Sequence, residues 1–149
     1  MAKINAGRVI AGGLLAGVVL NIQSWIVGMV LMPYWRELAK TGLLNTPGPA
    51  AIWSNIADFM AGLLIAWLYA AIRPRFGPGP RTAIIAGLAG WALAWGYAAI
   101  GQLVWMPCVW QKGAVTMAAG GLIGSLAAAW LAGWVYVEPS GGGRRRKHY

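Results

Sequence analysis

Charged residues are scarce in this sequence. Asp, Glu, Lys and Arg make up only 10% of its 149 residues, whereas 59% are hydrophobic. A water-soluble domain of this length cannot bury so much apolar surface, because too few polar residues remain to cover it. The residues left between the apolar runs are also too few to form a second folded domain. The composition therefore excludes a soluble protein and predicts one that spans a membrane several times.

Histidine and cysteine are nearly absent, and each occurs once, as His148 and Cys108. Because no imidazole lies inside an apolar run, the sequence offers no ligands for haem, chlorophyll or a transition metal and no base for a histidine-dependent triad. A lone cysteine cannot form an intramolecular disulfide, so Cys108 is either a buried thiol or a link to another chain. We therefore predict no metal, no cofactor and no catalytic residue.

Four apolar runs are present, each of roughly 20 residues, which is the length that crosses a hydrocarbon layer. They predict an all-α transmembrane bundle within residues 1–138, with four helices at about 8–32, 52–72, 82–106 and 114–137. A flexible basic tail follows at 139–149. Residues 34–41 are predicted as a separate short surface helix that ends at Gly42. Because proline interrupts a helix, the predicted span ends are marked by Pro33, Pro74, Pro107 and Pro139.

The basic residues are distributed unevenly between the loops. Four spans place both termini on one side of the membrane, and nine of the twelve Lys and Arg residues lie on that side. Since basic residues are retained on the cytoplasmic face, we predict that both termini are cytoplasmic. This topology, together with attraction to lipid headgroups, accounts for the net charge of +9 without nucleic acid as a partner.

The two halves of the chain resemble each other when Arg8 is aligned with Arg81. In this alignment Gly17 falls on Gly90. A duplicated two-helix hairpin with both copies in the same orientation would have a pseudo-two-fold axis along the membrane normal. A general excess of small residues in membrane helices produces similar coincidences, so both interpretations remain open.

Small and polar residues recur every three or four positions in each span, which places them on one helix face. Lipid tails are as apolar as leucine, so membrane helices associate through close backbone approach at small residues and through shared hydrogen bonds. These faces therefore predict the interior of the bundle. They consist of Gly13, Gly17, Asn21, Ser24 and Gly28; Asn55, Asp58, Gly62, Ala66 and Tyr69; Gly87, Gly90, Ala94, Ala98 and Gly101; and Gly120, Gly124 and Ala127.

Asp58 is the one ionisable residue well inside a predicted span, about six residues or roughly 9 Å below the outer surface. A carboxylate at that depth costs about 2–3 kcal/mol unless it is paired or hydrated, so we expect polar partners. The polar side chains of the same membrane half are Asn21, Gln23, Ser24, Ser54, Asn55, Gln102 and Thr116.

Two interpretations of this polar cluster remain open. In the first, Asp58 with Asn21, Ser24, Asn55 and Gln102 lines a small outward-facing cavity that binds a cation, a proton or a small polar ligand. In the second, the amides and hydroxyls satisfy one another and hold the helices in register.

Tryptophan is abundant, with ten residues. Trp91 and Trp95 lie one helical turn apart and form an aromatic ridge that would meet a pigment, a quinone or a neighbouring helix. Ordinary packing or lipid contact is the interpretation that we favour for them.

Basic residues near the predicted cytoplasmic surface predict contact with anionic lipids or with an acidic partner. They are Arg73, Arg75, Arg81, Arg144, Arg145, Arg146 and Lys147.

The run WLYAAIRPRFGPGPRTA at residues 67–83, with the earlier segment AGGLLAG at 11–17, resembles a family of small bacterial four-helix inner-membrane proteins without an assigned activity. The resemblance extends over most of residues 1–138, and the basic tail lies outside it. It implies a four-helix protein of the bacterial inner membrane, and it transfers no functional residue.

The sequence thus predicts a non-catalytic membrane protein, and we expect an accessory subunit that packs beside a larger membrane complex. The absence of catalytic residues, the tryptophan-rich exterior, the short loops and the basic tail favour this function. The alternative is a small oligomeric transporter or ligand-binding protein that uses the cavity around Asp58. A membrane enzyme is a third possibility, but one carboxylate without a partner base or metal offers little chemistry.

Overall fold

The computed structural model describes residues 4–42, 47–105 and 111–136, which are helical almost throughout. Helix α1 runs through Ala6–Lys40 and α2 through Pro47–Phe76. The third span consists of α3 at Pro80–Trp91, a π-helical turn at Ala92–Gly96 and α4 at Tyr97–Trp105, and α5 follows at Gln111–Val135. The predicted four-helix transmembrane fold is confirmed.

Each of the four spans in the described ranges is long and apolar enough to cross a membrane. Their outer faces carry bulky apolar side chains, such as Trp25 and Trp134, which are 71% and 79% exposed. The buried core contains instead many small residues, including Ala16, Ala86 and Ala128. Bulky residues outside and small residues inside are the pattern expected of helices that face lipid and pack against one another.

Both ends of the described chain lie at the same end of the bundle. The backbone N–H of Asn5 donates a hydrogen bond to the Tyr136 hydroxyl over 3.3 Å. The α2–α3 turn is also there, because the N–H of Gly79 donates to the Tyr69 hydroxyl over 3.3 Å and the Tyr69 ring lies edge-on against Tyr136. We name this the terminal end and the other the opposite end.

The helices follow one another around the bundle. Helix α1 contacts α2 and α5, and α3 likewise contacts both of these helices. A duplicated hairpin requires this arrangement, but any simple ring of four helices also has it. The internal duplication therefore stays a prediction.

Helices α1 and α2 approach each other at glycine. A Cβ atom on Gly62 would lie 2.6 Å from the carbonyl oxygen of Gly13 and closer still to the backbone nitrogen of Gly17. Gly13 and Gly17 in turn lie against the backbone of Leu63 and Phe59. The small-residue faces predicted for these two helices are therefore confirmed at their centre, since only glycine leaves room for the opposite backbone.

Two predicted helix ends are wrong. Pro33 lies inside α1, which continues to Lys40, and Pro74 lies in the last turn of α2. Proline removes one backbone hydrogen bond, but neighbouring helices and small local adjustments allow membrane helices to continue through it. Residues 34–41 therefore do not form a separate helix. Gly42, with a φ of 71°, lies just beyond the end of α1, as predicted.

The π-helical turn at Ala92–Gly96 changes which face of the third span points inward. Before the turn, Gly87 packs closely against α5 as predicted. After it, Ala98 is exposed and Ala99 is buried instead, and Ala94 within the turn is exposed as well. A π turn accommodates one extra residue, and one residue corresponds to a rotation of about 100° around an α-helix. The regular spacing in the sequence could not reveal this rotation.

Three further residues predicted in the interior do not pack against another helix. A Cβ atom on Gly28 or Gly101 would meet nothing within 4 Å, and Ala127 is exposed. Gly101 follows the π-helical turn, which rotates its face outward. Helix α5 is rich in small residues on all sides, so their spacing did not distinguish Ala127 from the buried Ala128.

Several predictions concern parts of the chain outside the described residues. They are those for Cys108, Pro107, Pro139 and the tail with Arg144, Arg145, Arg146 and Lys147.

Candidate functional site

A cavity of about 280 Å³ lies in the half of the bundle toward the opposite end, between α1, α2, the π-helical turn and α5. Its polar lining comes from two helices, with Gln23 and Ser24 on α1 and Ser54 and Asp58 on α2. Its remaining walls are formed by Val27, Gly28, Leu31, Trp35, Ala57, Trp95 and Met117. Gly28 packs against no neighbour because it borders this space.

Asp58 is a buried carboxyl group in the cavity wall, with 6% of the residue exposed. Ser24 provides a side-chain hydrogen bond to it. The carboxylate oxygen Oδ2 is buried and has no hydrogen-bond partner among the described residues. Buried polar atoms nearly always have a partner, since an unpaired one loses its hydration without compensation. The Oδ2 atom of Asp58 is therefore available to accept a hydrogen bond from a ligand in the cavity.

Gln23 reaches from α1 to α5, where two glycines make room for its amide. A Cβ atom on Gly124 would lie 2.7 Å from Gln23 Oε1, and one on Gly120 would lie 3.3 Å from Nε2. The side chain therefore packs into the space that the two glycines leave at the surface of α5. Its Oε1 atom is buried and has no hydrogen-bond partner in the described part of the chain. It is the second unused oxygen acceptor among the residues that line the cavity.

The charge of the cavity has one sign. Among the described residues of its lining, Asp58 is the only ionisable one, and these residues include neither lysine nor arginine. The ion pair between Glu37 and Lys40 lies on the exposed surface, where both side chains are 70% accessible. Because a membrane interior screens charge poorly, an ionised Asp58 gives the cavity a negative potential. A ligand with a positive charge and hydrogen-bond donors complements it.

The π-helical turn positions Trp95 against both the cavity and α5. A Cβ atom on Gly121 would lie 2.6 Å from Cγ of the Trp95 ring, so the ring fills the space that glycine leaves. Trp91, just before the turn, donates a hydrogen bond from its ring nitrogen to the carbonyl of Ala118 over 2.8 Å. These two tryptophans therefore contact a neighbouring helix, which is the interpretation favoured from the sequence.

The structure brings together part of the predicted polar cluster. Ser24 and Asp58 line the cavity, whereas Asn21, Asn55 and Gln102 do not. The Asn21 amide donates instead to the Gly17 carbonyl of its own helix over 2.9 Å. Asn55 is exposed on the outside of α2, and Gln102 is half-buried on α4 beyond the π-helical turn.

The sequence pattern does not predict Gln23 as a ligand-binding residue. It lies, however, on a stripe with the buried residues Ala16, Leu20 and Leu31, at spacings of three or four when Val27 is included. A glutamine within an otherwise apolar, inward-facing stripe was the signal. Trp35 and Trp95 gave no comparable signal, because their place at the cavity depends on the continuation of α1 past Pro33 and on the π-helical turn.

The arrangement is suited to binding. It offers one carboxylate, one amide oxygen and two hydroxyl groups, and the described residues contain no group of three or more His, Cys, Asp or Glu side chains that could hold a metal ion. Fold and site together define a four-helix transmembrane protein with a small acidic cavity between its helices. No family model matches the chain, and neither a curated protein nor a solved structure matches it.

Proposed function

We propose that this protein binds a small organic cation that carries an ammonium group, in the cavity around Asp58, and that it catalyses no reaction. The observation that carries the proposal is a pair of buried oxygens on one cavity, Asp58 Oδ2 and Gln23 Oε1, which have no hydrogen-bond partner among the described residues. An ammonium group offers up to three N–H donors and a charge opposite to that of Asp58. It therefore provides hydrogen-bond donors for both oxygens and a charge that balances that of Asp58.

The walls favour an organic cation over a metal ion. Ca²⁺ takes six to eight oxygen ligands and Mg²⁺ six in near-octahedral geometry, and the four polar side chains of the cavity provide too few. Trp35 and Trp95 border the same space as Asp58. Aromatic rings attract organic cations through their electron-rich faces. One carboxylate with no second acid or base among the described lining residues also offers little chemistry beyond binding.

The test measures binding to the purified protein in detergent. Butylammonium is expected to raise the thermal unfolding midpoint in a concentration-dependent way, because a ligand that binds only the folded state stabilises it. n-Butanol, with the same carbon chain and no charge, is expected to do so at least tenfold more weakly. Asp58→Asn, which keeps the shape but removes the charge, is expected to weaken butylammonium binding at least tenfold, or about 1.4 kcal/mol.

Two variants control this experiment. Asn55→Ala changes an exposed residue of α2 three positions from Asp58, and it should leave the affinity unchanged. Gly28→Leu adds bulk at a position that borders the cavity and contacts nothing else, so it should block binding without removing a polar group. Equal affinity in the parent protein and in Asp58→Asn would contradict the proposal.

We further propose that the protein lies in a bacterial inner membrane with both termini cytoplasmic, so that the cavity belongs to the outer half. The distribution of basic residues supports this orientation. A green fluorescent protein fused to the carboxyl terminus should be fluorescent, and alkaline phosphatase at the same position should be inactive. The reverse result would place the cavity in the cytoplasmic half.

A role as accessory subunit is a second candidate. Large aromatic residues on the outer surface favour it, such as Trp53 on α2 and Tyr97 on α4, which are 70% and 80% exposed. These side chains are suited to contact with another membrane protein as well as with lipid. Purification from the native membrane in mild detergent, followed by mass spectrometry, separates the two functions. A stoichiometric partner would favour the accessory role, and recovery of this chain alone would exclude it.

A further inference from the structure

A second cleft, of about 260 Å³, lies at the terminal end of the bundle and is separate from the cavity around Asp58. It is formed where the last turn of α2, the start of α3 and the end of α5 meet. Among the described residues that line it, Arg73 is the charged one. This described lining therefore contributes a positive charge, whereas that of the first cavity contributes a negative one.

The charge of Arg73 is held in place by aromatic residues. Its guanidinium carbon lies 5.3 Å from the centre of the Tyr136 ring, a distance typical of a cation–π contact. Tyr136 is buried and packs edge-on against Tyr69, with 6.1 Å between the ring centres. Tyr69 itself lines the cleft. A positioned guanidinium binds an anion at a smaller entropic cost than a flexible surface side chain.

The rim of the cleft contributes further positive potential. Pro80 is the first residue of α3, and the first turn of this helix has no acidic residue and no side-chain cap. The start of a helix carries a partial positive charge, which favours an anion nearby. Because Pro80 and the preceding Gly79 both line the cleft, this helix end lies at the same opening as Arg73.

The outer wall of the cleft is apolar and faces the membrane. Trp130 and Trp134 lie one helical turn apart on α5, are 62% and 79% exposed, and both line the cleft. Tryptophan is enriched at the boundary between lipid headgroups and acyl chains. A ligand that fits here has an anionic head for Arg73 and an apolar tail for the two indole rings.

We infer that this cleft binds one anionic phospholipid, with the phosphate at Arg73 and the start of α3 and the acyl chains along Trp130 and Trp134. Charge complementarity and the continuity of the cleft with the lipid-facing surface support this occupant. The inference is independent of the proposed function, since the two sites share no residue. It also distinguishes Arg73 from the described Arg75 and Arg81, which do not line the cleft.

Native mass spectrometry of the purified protein tests the inference. We expect the affinity for phosphatidylglycerol to be at least tenfold higher than that for phosphatidylcholine, whose headgroup has no net charge. Arg73→Gln should reduce this preference at least fivefold. Arg75→Gln is the matched control, because it removes the same charge two residues away at an exposed position outside the cleft, and it should change the preference by less than twofold.

Two further measurements complete the test. Trp134→Ala alters a side chain that is 79% exposed and makes little contact with the bundle, and it should weaken phosphatidylglycerol binding at least threefold because the acyl chains lie along α5. Glycerol phosphate at millimolar concentration should not displace the lipid. Equal losses for Arg73→Gln and Arg75→Gln would overturn the inference in favour of general surface charge, and displacement by glycerol phosphate would overturn it in favour of a soluble anion.

Discussion

Replacing Gly62 by alanine is expected to lower the free energy of unfolding by about 2–3 kcal/mol. The added Cβ atom would lie 2.6 Å from the carbonyl oxygen of Gly13 and collide with the backbone of Gly17. Backbone atoms cannot move aside as a side chain can, so α1 and α2 must separate. Their separation would weaken a close backbone contact between two helices, and such contacts are a main source of stability where no hydrophobic effect drives association.

The measurement is unfolding in mixed micelles with increasing sodium dodecyl sulfate, followed by circular dichroism. Gly101→Ala is the matched control, because it makes the same change at a glycine with no atom within 4 Å of the added Cβ. This control should leave stability unchanged or raise it by up to about 1 kcal/mol through helix propensity. Similar stabilities for the two variants would show that the close approach of α1 and α2 is not needed.

Replacing Asp58 by leucine is expected to raise the free energy of unfolding by about 1 kcal/mol while it abolishes cation binding. A carboxylate at the depth of Asp58 costs about 2–3 kcal/mol, and its hydrogen bond with Ser24 recovers only part of this. Leucine removes the charge, its hydrogen bond and the Oδ2 atom, which has no partner among the described residues. The adjacent cavity leaves room for the new side chain, so overpacking does not offset the gain.

This prediction separates the two interpretations of the polar cluster. If Asp58 served to hold the helices in register, Asp58→Leu would be destabilised, and its unfolding midpoint would fall. If Asp58 is retained for binding, the variant becomes more stable and loses function, which is the usual compromise at a binding site. The comparison is made by the same detergent titration, with Asn55→Leu as the control on the exposed face of α2.

Much of the fold could be predicted from the sequence because a membrane simplifies the physical problem. Apolar runs of sufficient length must form helices there, since every backbone hydrogen bond has to be made within the chain. The stripe through Gly13, Gly17 and Gly62 was predictable for a similar reason, as a close helix contact depends on small residues at regular spacing. The depth of Asp58 within its predicted span was enough to mark it as a candidate site residue, and the structure places it on a cavity.

The sequence was less informative where regular spacing is interrupted. Pro33 suggested an end to α1, yet the helix continues and carries Trp35 to the cavity. The π-helical turn rotates the third span, so Ala98 faces outward and Trp95 reaches the cavity. Both features depend on the packing of one helix against the others, and no periodic pattern in a single segment encodes them.

The sequence by itself determined that this is a membrane protein, how many times it crosses and which residue carries the buried negative charge. Those properties depend on composition and on position along one helix. Only the tertiary structure decided that Gln23 joins Asp58, that Asn55 and Gln102 do not line the cavity, and that Arg73 differs from its neighbouring arginines. The physical reason is that a site between helices depends on how each helix is rotated about its axis, which only packing against its neighbours sets.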